Sequence, residues 1–147
     1  MQFDFKIYKT FSEEETYELG RNFSKNLKPG DTISLEGDLG TGKTALTKGI
    51  AAGLDISEPI TSPTFTLVNT YEGRVTLHHF DVYRTEDAEE LLAIGWDEYL
   101  DGEAVTIVEW GDRIPELLPD DTIYIRLERD DTMPDGRTIA IERRVGL

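Results

Sequence analysis

The chain has 147 residues, 30 of them Asp or Glu and 15 Lys or Arg, for a formal charge of −15, and it contains no cysteine. That length suits one domain with a real core, leaves no room for a separate catalytic domain, and the composition excludes disulfides and thiolate metal centres. The acidity opposes direct contact with DNA or RNA, because phosphate backbones are held by clustered Lys and Arg.

The start, Met1-Gln2-Phe3-Asp4-Phe5-Lys6, carries no basic segment followed by an apolar one, and no apolar run reaches membrane-spanning length; a soluble, untargeted, cytoplasmic protein is expected. Phe3, Phe5 and Ile7 alternate with polar residues and predict an opening strand. Ser12 and Glu15 form a capping box ahead of Leu19, Phe23 and Leu27, which give a helix one apolar face before Pro29-Gly30. Thr32 to Leu35 is a second strand, and Gly37 to Thr44 reads G-D-L-G-T-G-K-T. Ala45, Leu46, Ile50, Ala51 and Leu54 predict the next helix, which Gly49 and Gly53 weaken.

Glu58 to Thr64, with Pro59 and Pro63, reads as a loop, and Phe65 to Tyr71 with Val75 to Phe80 as a hairpin around Glu72-Gly73-Arg74. Glu86 to Tyr99 is helical in pattern. Val105 to Val108 is a short, nearly all-apolar strand of the kind covered on both faces. Ile123, Ile125 and Leu127, then Ile139 and Ile141, alternate about the turn Met133-Pro134-Asp135-Gly136 and predict a closing hairpin. This order describes an α/β fold of the P-loop NTPase type: a mixed sheet with a parallel core, antiparallel hairpin additions and flanking helices, in a single domain over 1–147.

The segment 37–44 lies between a strand and a helix, the context a phosphate-binding loop requires. Gly37, Gly40 and Gly42 let the backbone curl, so that the main chain of Asp38, Leu39 and Thr41 points N–H groups at phosphate oxygens, with the helix N-terminus behind them. Lys43 would reach the β- and γ-phosphates and the Thr44 hydroxyl a magnesium ion. A nucleoside triphosphate is the expected ligand. The guanine-selecting tetrad is missing, since Thr47-Lys48-Gly49-Ile50 lacks its acid, so nothing argues for GTP.

Such a loop needs an acid at the end of a neighbouring strand, and Asp81 and Glu109 both qualify; one would sit near the metal and the other would orient or deprotonate the attacking water. Each also fits a solvated strand end. Thr64, in the stiffened Ser62-Pro63-Thr64 segment, is the candidate γ-phosphate sensor or simply the start of a strand. Trp110 reads as a core or interface aromatic, and Arg84 and Arg113 as phosphate contacts or surface ion pairs. His78 and His79 point to opposite sides of a strand and are assigned no metal.

Together, G-D-L-G-T-G-K-T at 37–44, S-P-T-F-T-L-V at 62–68, H-F-D-V-Y-R at 79–84, E-L-L-A-I-G at 90–95 and V-E-W-G at 108–111 resemble the TsaE (YjeE) family of bacterial ATPases, in the family's order and over most of the chain. Thr41 stands where many members have Ala, at a position that contributes mainly backbone. The resemblance implies binding and hydrolysis of ATP with Mg2+ in support of tRNA threonylcarbamoyladenosine formation at the adenosine 3′ of the anticodon. TsaD-like and TsaB-like partners are implied, with tRNA met only through them and the transfer itself done elsewhere. By motif match it assigns Lys43 and Thr44 to phosphate and magnesium, Thr64 to the switch loop, Asp81 to the hydrolytic centre, Glu109 to the metal and Trp110 to the site or a partner contact. It also places Thr10 and Ser12 beside the nucleotide. The alternative from the residues alone is a small-molecule kinase using the same loop, against which stands the lack of an arginine-bearing lid segment.

Overall fold

The structure, a computed structural model, describes residues 2–38, 40–61, 63, 67–83 and 88–145. Leu39, Thr64 and Arg84, and the first residues of two predicted elements, Phe65 and Glu86, lie outside the described residues.

The strands are β1 (Gln2–Thr10), β2 (Thr32–Glu36), β3 (Val68–Tyr71), β4 (Leu77–Asp81), β5 (Val105–Glu109), β6 (Ile123–Arg129) and β7 (Arg137–Val145). Among the described residues they form one sheet in the order β1-β7-β6-β2-β5-β4-β3. Neighbours from β6 through β2 and β5 to β4 run parallel, whereas β1 with β7, β7 with β6, and β3 with β4 are antiparallel. The expected parallel core with hairpin additions is therefore what forms.

The helices are α1 (Glu13–Phe23), α2 (Lys43–Gly53), α3 (Ala88–Ala93) and α4 (Trp96–Tyr99). Ser12 caps α1 by accepting from the Glu15 N–H at 3.1 Å, and the Glu15 carboxylate accepts from the Phe11 N–H at 3.1 Å. The helix expected over 86–99 is in fact two, because Gly95 takes a left-handed conformation (φ 94°) that ends one turn and starts the next. Gly49 does more than weaken α2. A Cβ there would run into the Tyr17 carbonyl oxygen, so its absence lets α2 lie directly against α1.

Alternation along the central strands splits the core between two faces. Leu77, Val105 and Ile107 join Ile33, Leu46, Ile50 and Leu54 in one cluster with α2; Phe80 and Val108 join Leu91, Trp96 and Ile114 in the other, beneath α3 and α4. The opening strand differs. Phe5 and Ile7 are 57% and 58% exposed, beside Tyr124, so the apolar alternation that marked β1 lies on a side of the sheet that no described helix covers.

Candidate functional site

The carboxyl ends of β2, β5 and β4 converge, as open parallel sheets require for a ligand site. A cavity of about 420 Å³ lies there, lined by Gly40, Gly42, Lys43 and Thr44 on one side and by His79, Asp81, Glu109 and Trp110 on another. Glu13, Thr16, Ala45, Thr47, Ile60, Thr61, Asp135 and Arg137 complete the described wall.

The loop from β2 to α2 is held from within. Asp38 O accepts from the Thr41 N–H at 3.3 Å and from its hydroxyl at 2.7 Å, so the Thr41 N–H expected to face phosphate is instead turned into the loop, and Gly42 precedes α2 in a left-handed conformation (φ 99°). The first N–H groups of a helix have no acceptor within it, so the start of α2 brings free donors and the positive end of its dipole to Lys43 and Thr44.

Lys43 is buried, with Nζ 4.0 Å from the centre of the Trp110 ring. Burial pushes its ammonium below the ordinary lysine value of 10.5, while the carboxylates of Glu109, Asp81, Asp38 and Asp112 act in the opposite direction. The loss of water is the larger effect. Polyphosphate beside it would replace both the ring and the lost hydration.

Asp81 and Glu109 end adjacent parallel strands and are register partners. The structure thus brings together the two acids that the sequence had left as separate candidates. His79 Nε2 lies 2.7 Å from Glu109 Oε2, with side-chain exposures of 4% and 12%. No partner for His79 Nδ1 is found among the described residues, and since a carboxylate oxygen accepts, it is Nε2–H that donates across the pair. Sequence reasoning missed this role. The available signal was spacing: His79 and Asp81 are two apart on one strand and share a face, whereas His78 turns away to Thr70 (2.9 Å) and to the edge of Tyr99 (4.8 Å).

Trp110 follows β5 with φ 64°, a left-handed conformation uncommon for a residue with a large side chain, and its backbone N–H donates to Leu35 O at 3.1 Å. Its ring lies 4.9 Å from that of Tyr83, over which Arg113 sits at 4.8 Å. Arg113 is therefore engaged at the outer end of this stack, away from the lysine. Thr10 and Ser12 stand one step back from the cavity: the buried Thr10 hydroxyl bonds that of Thr16 at 2.7 Å, Ser12 caps α1, and Thr16 and Glu13 are the lining residues. Arg137, which the sequence reading did not single out, lines the cavity from β7 and donates to the carbonyls of Gly40 (3.1 Å) and Thr41 (3.0 Å).

Comparison with known proteins agrees with this geometry. The family described as "Threonylcarbamoyl adenosine biosynthesis protein TsaE" matches residues 10–139. The tRNA threonylcarbamoyladenosine biosynthesis protein TsaE of Bacillus subtilis (strain 168) is 46% identical over 123 residues, covering 83% of this chain and 77% of that protein. Its counterpart in Treponema pallidum (strain Nichols) is 44% identical over 116 residues, covering 79% and 86%. The crystal structure of Bacillus subtilis YdiB superposes with a TM-score of 0.82 at 36% identity over 97% of this chain and 88% of that one. A phosphate loop facing two register-paired acids, the matched span and this shared P-loop fold lead to one conclusion: the chain belongs to the TsaE family of tRNA threonylcarbamoyladenosine biosynthesis.

Proposed function

We propose that the chain binds and hydrolyses MgATP in this cavity, and that its nucleotide state controls assembly or reset of a tRNA-modifying complex built from TsaD-like and TsaB-like proteins. The observation that carries the reading is the convergence of Lys43, Asp81 and Glu109 on one cavity at the mouth of the phosphate loop. Lys43 would bind the β- and γ-phosphates and stabilise charge on the oxygens of the transferred group. Asp81 would orient the attacking water and take its proton, and Trp110 would give up the lysine as phosphate enters.

Thr44 and Glu109 would hold Mg2+. The hydroxyl and carboxylates at this cavity are hard oxygen donors that suit it. When bound, the ion neutralises phosphate charge. His79 holds the Glu109 carboxylate in place for it. The acidic chain would meet tRNA only through its partners.

The test is ATP turnover during titration with the purified TsaB-like and TsaD-like pair. Slow release of phosphate by the chain alone and a clear, saturable increase with the pair are expected. Unchanged turnover through saturation would contradict the proposal.

A further inference from the structure

Arg137 opens β7, and its guanidinium is taken up by backbone carbonyls: Nε donates to Thr41 O at 3.0 Å, Nη2 to Gly40 O at 3.1 Å, and Nη1 to Gly136 O at 2.7 Å and Pro134 O at 3.0 Å. One side chain therefore ties the β6–β7 turn to the phosphate loop. Its cross-strand partner Arg129 lies against Gly40 as well, so the whole end of the hairpin stands beside the loop.

Peptide units are planar and trans, with C=O and N–H pointing opposite ways. Holding the Thr41 carbonyl therefore turns the Gly42 N–H to the side away from the guanidinium, and Gly42 lines the cavity. The preceding unit is fixed at both ends: its Gly40 carbonyl by Arg137 and its Thr41 N–H by Asp38 O. An ammonium group offers its donors from a single rotatable point, whereas a planar fork holds two separate nitrogens against two consecutive carbonyls at once. The fork also sets a permanent positive charge beside the loop, at the cavity wall.

We infer that Arg137 is the positioning residue of the phosphate loop, presetting the backbone of residues 40–42, with the Gly42 N–H turned away from the guanidinium, before any ligand arrives. The consequence for nucleotide affinity rests on the function proposed above, whereas the clamp on the free loop does not. Preorganisation of this kind acts on affinity, because the loop no longer has to be ordered on binding.

Two measurements on the wild type, Arg137→Ala and Arg137→Lys test it: amide hydrogen exchange of the ligand-free protein, and titration with MgADP alongside KM and kcat for MgATP. In Arg137→Ala, exchange over 40–42 should quicken while β2 and β5 stay protected. MgADP affinity should fall about tenfold or more. KM should rise with kcat nearly unchanged, and millimolar guanidinium ion should restore part of the affinity. Arg137→Lys keeps the charge without the fork and should behave like the alanine variant; it carries the test if Arg137→Ala does not fold. Unaltered exchange over 40–42 in a folded variant, or wild-type affinity in Arg137→Lys, would overturn the inference. Quickened exchange in a protein whose wild type binds no MgADP would uphold the clamp and sink the nucleotide reading instead.

Discussion

His79 on β4 donates a 2.7 Å hydrogen bond to Glu109 at the end of β5, and both side chains are largely sealed from water. The carboxylate assigned to the metal is thus aimed by a neighbour that itself lines the same cavity. Replacing His79 with Ala leaves that carboxylate without its donor, at a cost of about 1–3 kcal/mol in stability. ATP turnover should fall about 10- to 100-fold, as for other residues that orient metal-binding groups. His79→Gln, whose amide nitrogen reaches about as far as Nε2, should recover most of the turnover. Equal loss in both variants, at matched melting temperatures, would show that the hydrogen bond is not what matters.

Lys43 and Asp81 should separate binding from chemistry. Lys43→Ala removes the charge proposed to meet the phosphates and should weaken MgADP binding about 10- to 100-fold, the worth of a charge-assisted hydrogen bond. Asp81→Ala should retain much of the binding yet lose about 10²- to 10⁴-fold in kcat, as when a general base is removed. Calorimetric affinity and single-turnover rates on the two variants check this. Parallel loss of binding in both would take Asp81 out of the catalytic role.

Ser12 distinguishes a cap from a ligand contact. Its hydroxyl accepts from the Glu15 N–H, so Ser12→Ala should destabilise the protein by about 0.5–2 kcal/mol. Because Glu13 and Thr16 line the cavity instead, MgADP affinity should change less than twofold, about 0.4 kcal/mol. A large loss of affinity with normal stability would return Ser12 to the nucleotide, as the family resemblance implied.

His78 supplies a pH dependence. Burial lowers its pKa below the ordinary 6.5, against the raising influence of Asp101 and Glu72. Since the unfolded chain then binds a proton more readily than the folded one, stability is fully present above pH 6.5 and is lost as pH falls through the lower folded value. The urea midpoint of the wild type should therefore fall relative to that of His78→Gln as the solution is acidified from pH 7.5. A constant gap between them would contradict this.

The fold was legible because each signal was local: the capping box at Ser12, the alternation in β6 and β7, and the turn at 133–136 each fixed an element from a few residues. Position in the sheet was less so. Alternation at Phe5 and Ile7 revealed a strand, but which side of it is covered depends on where the helices land. The phosphate loop and the two acids could be found by motif and strand end. Arg137 could not, since its partners are main-chain carbonyls nearly a hundred residues earlier, and carbonyls leave no trace in residue identity. His79 lay between: the two-residue spacing from Asp81 announced a shared face, but only packing of β4 on β5 supplied Glu109.

Isothermal titration of MgATP into the wild type and Lys43→Ala meets the central claim head on. The account predicts one saturable site per chain in the wild type, strongly weakened in the variant. No binding heat from the wild type at millimolar MgATP, or identical isotherms for the two proteins, would contradict it.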